Sequence, residues 1–213
     1  CFCIIWIHCN SVLYSYDGTD LWRLSLVVQV VAHFAVPCFF MLSGANLIHY
    51  RERQTTGQFL YRRVVRTLIP FLIWSAIILL WKHFTGVLIV EDFRHIVFLF
   101  LTSSLETVYW FFFPLFGIYL AIPVVSLFAD RKYLPYMLYL SLLGIFINSL
   151  LPYILGRIDM GYSEYIVFPM AVNYLPYALL GYYLANTQIP RGVHWLIYAV
   201  GIGCALYMYF GTL

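Results

Sequence analysis

A histidine inside an apolar segment is the first residue of this chain that could carry out chemistry. His8 lies about six residues before the end of the first apolar segment, or roughly 9 Å inside the bilayer at about 1.5 Å per residue. A neutral imidazole at that depth can take a proton from a hydroxyl group, and an ionisable residue in a membrane helix is a functional hypothesis by default. The alternative is a histidine that hydrogen-bonds a neighbouring helix, and its position is compatible with both interpretations.

Three arginines form the second group of chemical interest. Arg62, Arg63 and Arg66 stand close together, and their spacing predicts one shared face of a helix. Guanidinium groups bind phosphate oxygens through paired hydrogen bonds, so this face suits the several phosphates of a nucleotide-bearing cofactor. The alternative is a topogenic patch that contacts lipid headgroups.

A proline-containing stretch of small residues is a candidate for part of a substrate path. Pro37 has no N–H, so the carbonyl of His33 loses its helical donor and we expect a kink there. Ser43 and Gly44 follow, and such small residues let a ligand approach the backbone. Ordinary packing of a neighbouring helix is the simpler interpretation of the same residues.

An aromatic segment later in the chain is the other candidate for the substrate path. Tyr109 and Trp110 stand at its start, where an aromatic belt at the membrane interface would also account for them. Pro123 removes the donor for the carbonyl of Tyr119, so this helix is also expected to bend.

The composition places all these residues in a membrane protein. Of the 213 residues, 63% are hydrophobic and only 10% are charged, more apolar surface than a water-soluble domain of this size can bury. We predict an all-α fold, a polytopic transmembrane helical bundle with about seven spans, and a single domain over residues 1–213. The segment 87–104 is too interrupted to cross and is placed at the surface or as a re-entrant piece. The predicted spans are 1–14, 26–48, 68–84, 108–128, 134–151, 168–186 and 193–213.

The distribution of positive charge predicts the orientation. Basic residues follow alternate spans, and the positive-inside rule makes that face cytoplasmic and puts His8 near the opposite face. The cytoplasmic set is Arg51, Arg53, Arg62, Arg63, Arg66, Arg131, Lys132 and Arg191.

The cysteines indicate neither a metal site nor a disulfide framework. All five lie in apolar segments without metal-ligand spacing, so we predict buried thiols and no bound metal. Nothing in the sequence predicts binding of nucleic acid. Because Cys1 falls inside an apolar run, we expect the chain to be a fragment whose first helix lacks its beginning.

Taken in order, several of these motifs resemble the acyltransferase-3 family of bacterial membrane O-acyltransferases. The similarity extends over nearly the whole chain. The motifs are His8, VPCFFMLSG at 36–44, RVVRTLIP at 63–70, YWFFFPLFGIYLAIP at 109–123 and LPYALLGYYL at 175–184.

The resemblance implies transfer of an acyl group, usually acetyl, from acetyl-CoA on the cytoplasmic side to a hydroxyl of a cell-surface or exported carbohydrate. His8 matches the family's first-helix histidine, a base or proton carrier. Arg63 and Arg66, with Arg62 beside them, match the Arg-x-x-Arg motif tied to the acyl donor. The pantetheine arm would then pass toward Ser43 and Gly44. The resemblance also implies a multi-pass protein of the bacterial cytoplasmic membrane and further helices beyond this chain.

Two departures from the family pattern accompany this resemblance. The arginine that the family places earlier in the first helix would fall before residue 1. A histidine that many members carry before the Trp-Phe of the aromatic helix is replaced here by Val108 and Tyr109. A degenerate or regulatory membrane subunit therefore stays an alternative.

A second class of function is a transporter or flippase that moves a lipid-linked sugar without acyl chemistry. Broken helices would serve alternating access, and repeated halves would be expected. No clear internal repeat is present, and the basic cluster lies on one side only. Besides lipids and the carbohydrate acceptor, a homo-oligomer or an extracytoplasmic partner domain is compatible with either class.

Overall fold

The computed structural model describes residues 2–90, 92–102, 104–158 and 174–212. It divides into two compact units. The first unit comprises Cys1–Ala45 and Tyr177–Leu213, and the second comprises Asn46–Pro176. The regular elements of the described residues are all helical, as the sequence predicts.

Eleven α-helices account for most of the described residues, and short 3-10 or π-helical turns connect several of them. The α-helices are α1 (Phe2–Cys9), α2 (Asp20–Ala32), α3 (Ala35–Leu47), α4 (Thr56–Arg63), α5 (Ile69–Phe84), α6 (Phe93–Leu101), α7 (Phe112–Val125), α8 (Leu134–Ile145), α9 (Leu151–Arg157), α10 (Leu175–Asn186) and α11 (Arg191–Thr212).

Five helical segments of the described residues are long and apolar enough to cross a membrane, where the sequence predicted about seven. The first predicted span contains only α1 and a 3-10 turn at Ser11–Tyr14. The predicted span 168–186 lies partly outside the described residues, and α10 alone is short. At about 1.5 Å per residue, α6 is also too short to cross. The five segments are Asp20–Glu52, Thr56–Phe84, Thr107–Phe128, Arg131–Arg157 and Arg191–Thr212.

The kink predicted in the second span is confirmed. Helix α2 ends at Ala32, and α3 begins at Ala35 after a turn that includes His33. The next helical bond, from the N–H of Cys38 to the carbonyl of Phe34, measures 3.1 Å. Because Pro37 has no N–H to offer His33, the chain breaks its hydrogen-bond ladder at the residue that the sequence indicates.

Two π-helical turns interrupt long spans, and a proline follows each of them by two residues. In the turn Val64–Leu68, the N–H of Ile69 donates to the carbonyl of Val64 instead of making an α-helical bond. Pro70 cannot donate to the carbonyl of Arg66, which loosens the ladder there. The turn Phe146–Leu150 stands in the same relation to Pro152.

The second unit brings the start of α5 against the start of α7. The ring of Phe71 lies 5.2 Å from that of Tyr109, 4.7 Å from that of Phe112 and 5.6 Å from that of Phe116. Phe71 is only 7% exposed. This aromatic cluster holds α5 and α7 together through dispersion and ring-edge contacts.

The cysteines differ from the expectation of buried thiols. Cys3, Cys9, Cys38 and Cys204 are free, but Cys9 and Cys204 are exposed on the outside of their helices. An apolar thiol on the lipid-facing side of a membrane helix has no need of burial within the protein.

Candidate functional site

The arginine cluster begins with a well-defined helix start. The hydroxyl of Thr55 accepts a hydrogen bond from the N–H of Gln58 at 3.3 Å, and the side-chain oxygen of Gln58 accepts one from the N–H of Thr55 at 3.1 Å. This capping box satisfies two donors at the start of α4. It fixes the register of the helix that presents Arg62 and Arg63.

Arg63 is held between two aromatic rings. Its guanidinium carbon lies 5.5 Å from the ring centroid of Phe59 and 5.5 Å from that of Tyr119 on α7. Phe59 is fully buried and stacks on Tyr50 at 4.3 Å, so its position is fixed in turn. Cation–π contacts of this kind restrict the guanidinium to one orientation.

The hydrogen-bonding capacity of Arg63 is not fully used. Its Nε is buried and has no hydrogen-bond partner among the described residues. A buried guanidinium nitrogen without a partner costs free energy, and an anion brought beside the guanidinium would lower that cost.

Arg62 and Arg66 differ from Arg63 in being exposed. Neither has a hydrogen bond or an ion pair to any residue that the structure describes. The three arginines predicted to share one helix face therefore differ in their surroundings, since one guanidinium group is half-buried and two are exposed. Arg63 differs from the other two because the rings of Phe59 and Tyr119 enclose its guanidinium group.

A fourth arginine ties two ends of the second unit together. The Nε of Arg51 donates to the hydroxyl of Ser126 at 2.7 Å, and its Nη2 donates to the carbonyl of Pro123 at 3.0 Å. The hydroxyl of Ser126 donates to the same carbonyl at 2.9 Å. Arg51 therefore caps the C-terminal end of α7, where exposed carbonyls attract cations. It also places the end of the second predicted span beside the end of the fourth, as the charge pattern requires.

His8 lies in the last turn of α1, within the first unit, and its side chain is exposed. It makes no hydrogen bond to any described residue. The neighbouring Asn10 anchors this segment, because its side-chain amide donates to the carbonyl of Ser25 in α2 at 2.7 Å. The imidazole is therefore carried on an anchored segment and is exposed.

Ser43 and Gly44 take part in helix packing. The hydroxyl of Ser43 donates to the carbonyl of Phe39 in its own helix at 2.9 Å. Gly44 is buried where a Cβ atom would meet the backbone carbonyl of Ala178 in α10, and Gly181 of α10 meets Met41 in the same way. This reciprocal contact is the small-residue crossing that the sequence offered as the simpler interpretation.

Tyr109 and Trp110 stand at the end of the second unit where α7 begins. The hydroxyl of Tyr109 is hydrogen-bonded to that of Ser75, which is fully buried in α5. The ring of Trp110 is half-exposed and lies 5.7 Å from that of Tyr174. Tyr109 is thus a packing residue with a polar partner, whereas Trp110 offers part of its ring to the surroundings.

An ion pair that was not predicted from the sequence joins Lys82 and Glu106. The Nζ of Lys82 lies 2.8 Å from a carboxylate oxygen of Glu106 and donates to the carbonyl of Leu105 at 2.6 Å. Both side chains are largely buried. In the sequence, the feature that could have indicated this pair is a lysine at the end of one apolar span and a glutamate just before the next. The contact of Tyr119 with Arg63 has no signal in the sequence.

Comparison with known proteins places the chain in one family. The acyltransferase-3 family model, described as an acyltransferase domain, matches residues 1–213. No curated protein and no solved structure matches the chain. The resemblance noted in the sequence is therefore confirmed at the level of the family.

Proposed function

The chain belongs to the acyltransferase-3 family, and we propose that it transfers an acetyl group from acetyl-CoA to a hydroxyl of a cell-surface or exported carbohydrate. Acyl transfer in general follows from the family. The donor, the acceptor and the sidedness are our proposal.

The arrangement of the arginine cluster is the observation that carries the proposal. Arg62 and Arg66 are exposed and have no partner among the described residues, and Arg63 stands beside them in a fixed orientation with an unused buried Nε. A lipid-facing or purely structural arginine would be expected to use its donors within the protein. Three guanidinium groups with donors to spare suit the diphosphate and 3′-phosphate of CoA.

The positive charge of this end of the second unit supports a cytoplasmic location for the donor. Arg51 caps α7 at the same end, and the positive-inside rule assigns such an end to the cytoplasm. We propose that the protein is a multi-pass component of the bacterial cytoplasmic membrane, with acetyl-CoA approaching from inside the cell.

His8 is assigned the transfer of the acceptor proton. As the acceptor oxygen forms a bond to the thioester carbonyl carbon, the imidazole takes up the hydroxyl proton. The C–S bond then breaks, and the imidazolium returns the proton to the departing sulfur, which leaves as the CoA thiol. The exposed position of His8 on an anchored segment supports this role. Trp110, half-exposed at the start of α7, is assigned to the acceptor side of the path, with Tyr109 supporting it.

The proposal is tested with membranes that contain the complete protein and with acetyl-CoA labelled in its acetyl group. Release of free CoA thiol, together with label in an extracted carbohydrate fraction, is the expected result. Membranes with Arg66→Ala should require a higher acetyl-CoA concentration for the same rate. Label that remains in acetyl-CoA or appears only as free acetate, or transport of the sugar without thiol release, would contradict the proposal.

A further inference from the structure

The first unit contains a pocket to which the function proposed above assigns no role. It lies between the start of α2 and the end of α11 and encloses about 360 Å³, within the range of small-molecule sites. Its walls are Tyr16, Gly18, Trp22, Arg23, Tyr209 and Phe210.

One wall of this pocket, formed by Tyr16 and Trp22, is held by contacts within the protein. The ring of Tyr16 meets that of Trp22 edge to face at 4.7 Å. Trp22 is only 4% exposed, and its indole N–H donates to the carbonyl of Leu13 at 3.2 Å. The buried, hydrogen-bonded indole of Trp22 therefore serves as a firm support for the ring of Tyr16. A pre-formed wall lowers the entropic cost of binding.

The loop that precedes α2 is also ordered. The carboxylate of Asp17 accepts hydrogen bonds from the hydroxyl of Thr19 at 2.7 Å and from its N–H at 3.0 Å, which lowers the pKa of Asp17. The hydroxyl oxygen of Thr19 accepts a bond from the N–H of Trp22 at 3.2 Å and caps α2. Gly18, with φ of 68°, makes the turn possible between them.

Arg23 forms the polar edge of the pocket, and Asp20 is the ion-pair partner of Arg23. Arg23 pairs with Asp20 at 3.1 Å, and both side chains are exposed. An exposed ion pair contributes little free energy, so its donors and its carboxylate can be redirected to a ligand at small cost. Arg23 can donate several hydrogen bonds and Asp20 can accept them.

From these features we propose that the pocket binds one sugar ring of the carbohydrate acceptor, an inference that rests on the proposed function. A pyranose has an apolar C–H face, which stacks on aromatic rings, and an edge of hydroxyl groups, which both donate and accept hydrogen bonds. The rings of Tyr16, Tyr209 and Phe210 match the first, and the Arg23–Asp20 pair matches the second. A simple alkyl chain could not form hydrogen bonds with the Arg23–Asp20 pair.

The position of the pocket within the first unit connects it with His8. Trp22, one of its walls, is one turn from Ser25, whose carbonyl anchors Asn10. His8 stands two residues before Asn10 on the same segment. The start of α2 therefore both lines the proposed sugar pocket and anchors the segment that carries His8.

The experiment uses the complete protein in nanodiscs and methyl β-D-glucopyranoside as the probe, with saturation-transfer NMR reporting contact of its ring protons. Arg23→Gln should weaken binding by about tenfold, the order expected for a lost hydrogen bond to a charged group. Tyr209→Leu should weaken it by about threefold through loss of a ring face. Tyr198→Leu, on the same helix and exposed but outside the pocket, is the matched control and should leave binding unchanged.

Three results would overturn the inference. They are the absence of any pyranoside signal, a signal equally strong in Arg23→Gln and the unaltered protein, and saturation of 1-octanol without saturation of the sugar. Because Arg23 is exposed, Arg23→Gln should fold even if a ring substitution does not. Release of CoA thiol is measured in parallel. Pyranoside binding without thiol release would contradict the proposed function alone. Thiol release that depends on the acceptor in the same way in the unaltered protein and in both pocket variants would contradict only the assignment of the pocket to the sugar.

Discussion

The guanidinium carbon of Arg63 lies 5.5 Å from the ring centroid of Tyr119, with the ring of Phe59 at the same distance. Tyr119 belongs to α7 and is only 8% exposed, so a residue of one membrane segment orients an arginine of another. In the proposed function this contact holds one guanidinium of the donor site in place before CoA arrives.

Replacing Tyr119 should separate the effect of its ring from that of its hydroxyl. Tyr119→Phe keeps the ring and should leave acetyl-CoA affinity unchanged. Tyr119→Leu removes the ring and should weaken affinity by about twofold to thirtyfold, since a cation–π contact contributes about 0.5–2 kcal/mol. Equilibrium binding of acetyl-CoA to the protein in nanodiscs measures both. Equal affinities of the two variants would show that the ring does not orient Arg63.

Removal of an exposed arginine should affect the donor and not the fold. Arg66→Ala should raise the Kd for acetyl-CoA by about tenfold or more, since hydrogen bonds to charged groups are among the stronger ones. Arg191→Ala removes a charge from the predicted cytoplasmic face outside the cluster and should have little effect. If both variants weakened binding to the same small extent, the cluster would be topogenic.

The crossing of α3 and α10 should tolerate no added methyl group. Gly44→Ala and Gly181→Ala each bring a Cβ atom against a backbone carbonyl, so both should destabilise the protein by about 1–3 kcal/mol or more. Gly203→Ala, in α11, meets no atom within 4 Å and serves as the matched control. Thermal unfolding of the purified protein compares the three. A Gly44→Ala variant as stable as Gly203→Ala would mean that the helices do not approach so closely.

The ion pair of Lys82 and Glu106 should behave as a coupled unit. Because both groups are largely buried, Lys82→Met leaves a carboxylate without its partner and should destabilise the protein by about 1–3 kcal/mol. The double variant with Glu106→Gln should lose less than the sum of the single losses. A double-mutant cycle of unfolding free energies measures this, and strict additivity would refute the pairing.

Part of this architecture follows from the sequence alone. Pro37 predicts the break at His33 because the carbonyl of His33, four residues earlier, would accept its α-helical hydrogen bond from the N–H that Pro37 lacks. The alternation of basic residues predicts which ends lie together, and the contact of Arg51 with Ser126 agrees with it. Tyr109 and Trp110, predicted at the start of the fourth span, lie in the 3-10 turn Thr107–Phe111 that precedes α7.

Other features depend on contacts that no local pattern encodes. Arg62, Arg63 and Arg66 are equivalent in sequence, but only Arg63 is enclosed, because Tyr119 from a distant segment covers it. In the sequence, Gly44 is compatible with close approach of either a ligand or a neighbouring helix. In the structure, α10 fills the space beside Gly44. The pocket beside Trp22 needs the end of α11, almost two hundred residues away along the chain.

The role of His8 as the group that takes up the acceptor proton during acyl transfer can be tested by substitution of this residue alone. Complete protein carrying His8→Ala is incorporated into membranes, and acetyl-CoA-dependent release of CoA thiol is followed together with equilibrium binding of acetyl-CoA. Turnover should fall by about a hundredfold or more with donor binding unchanged, because a general base contributes about that much to the rate and the phosphates of the donor are assigned to the arginines and not to His8. Turnover at the rate of the unaltered protein would contradict this role.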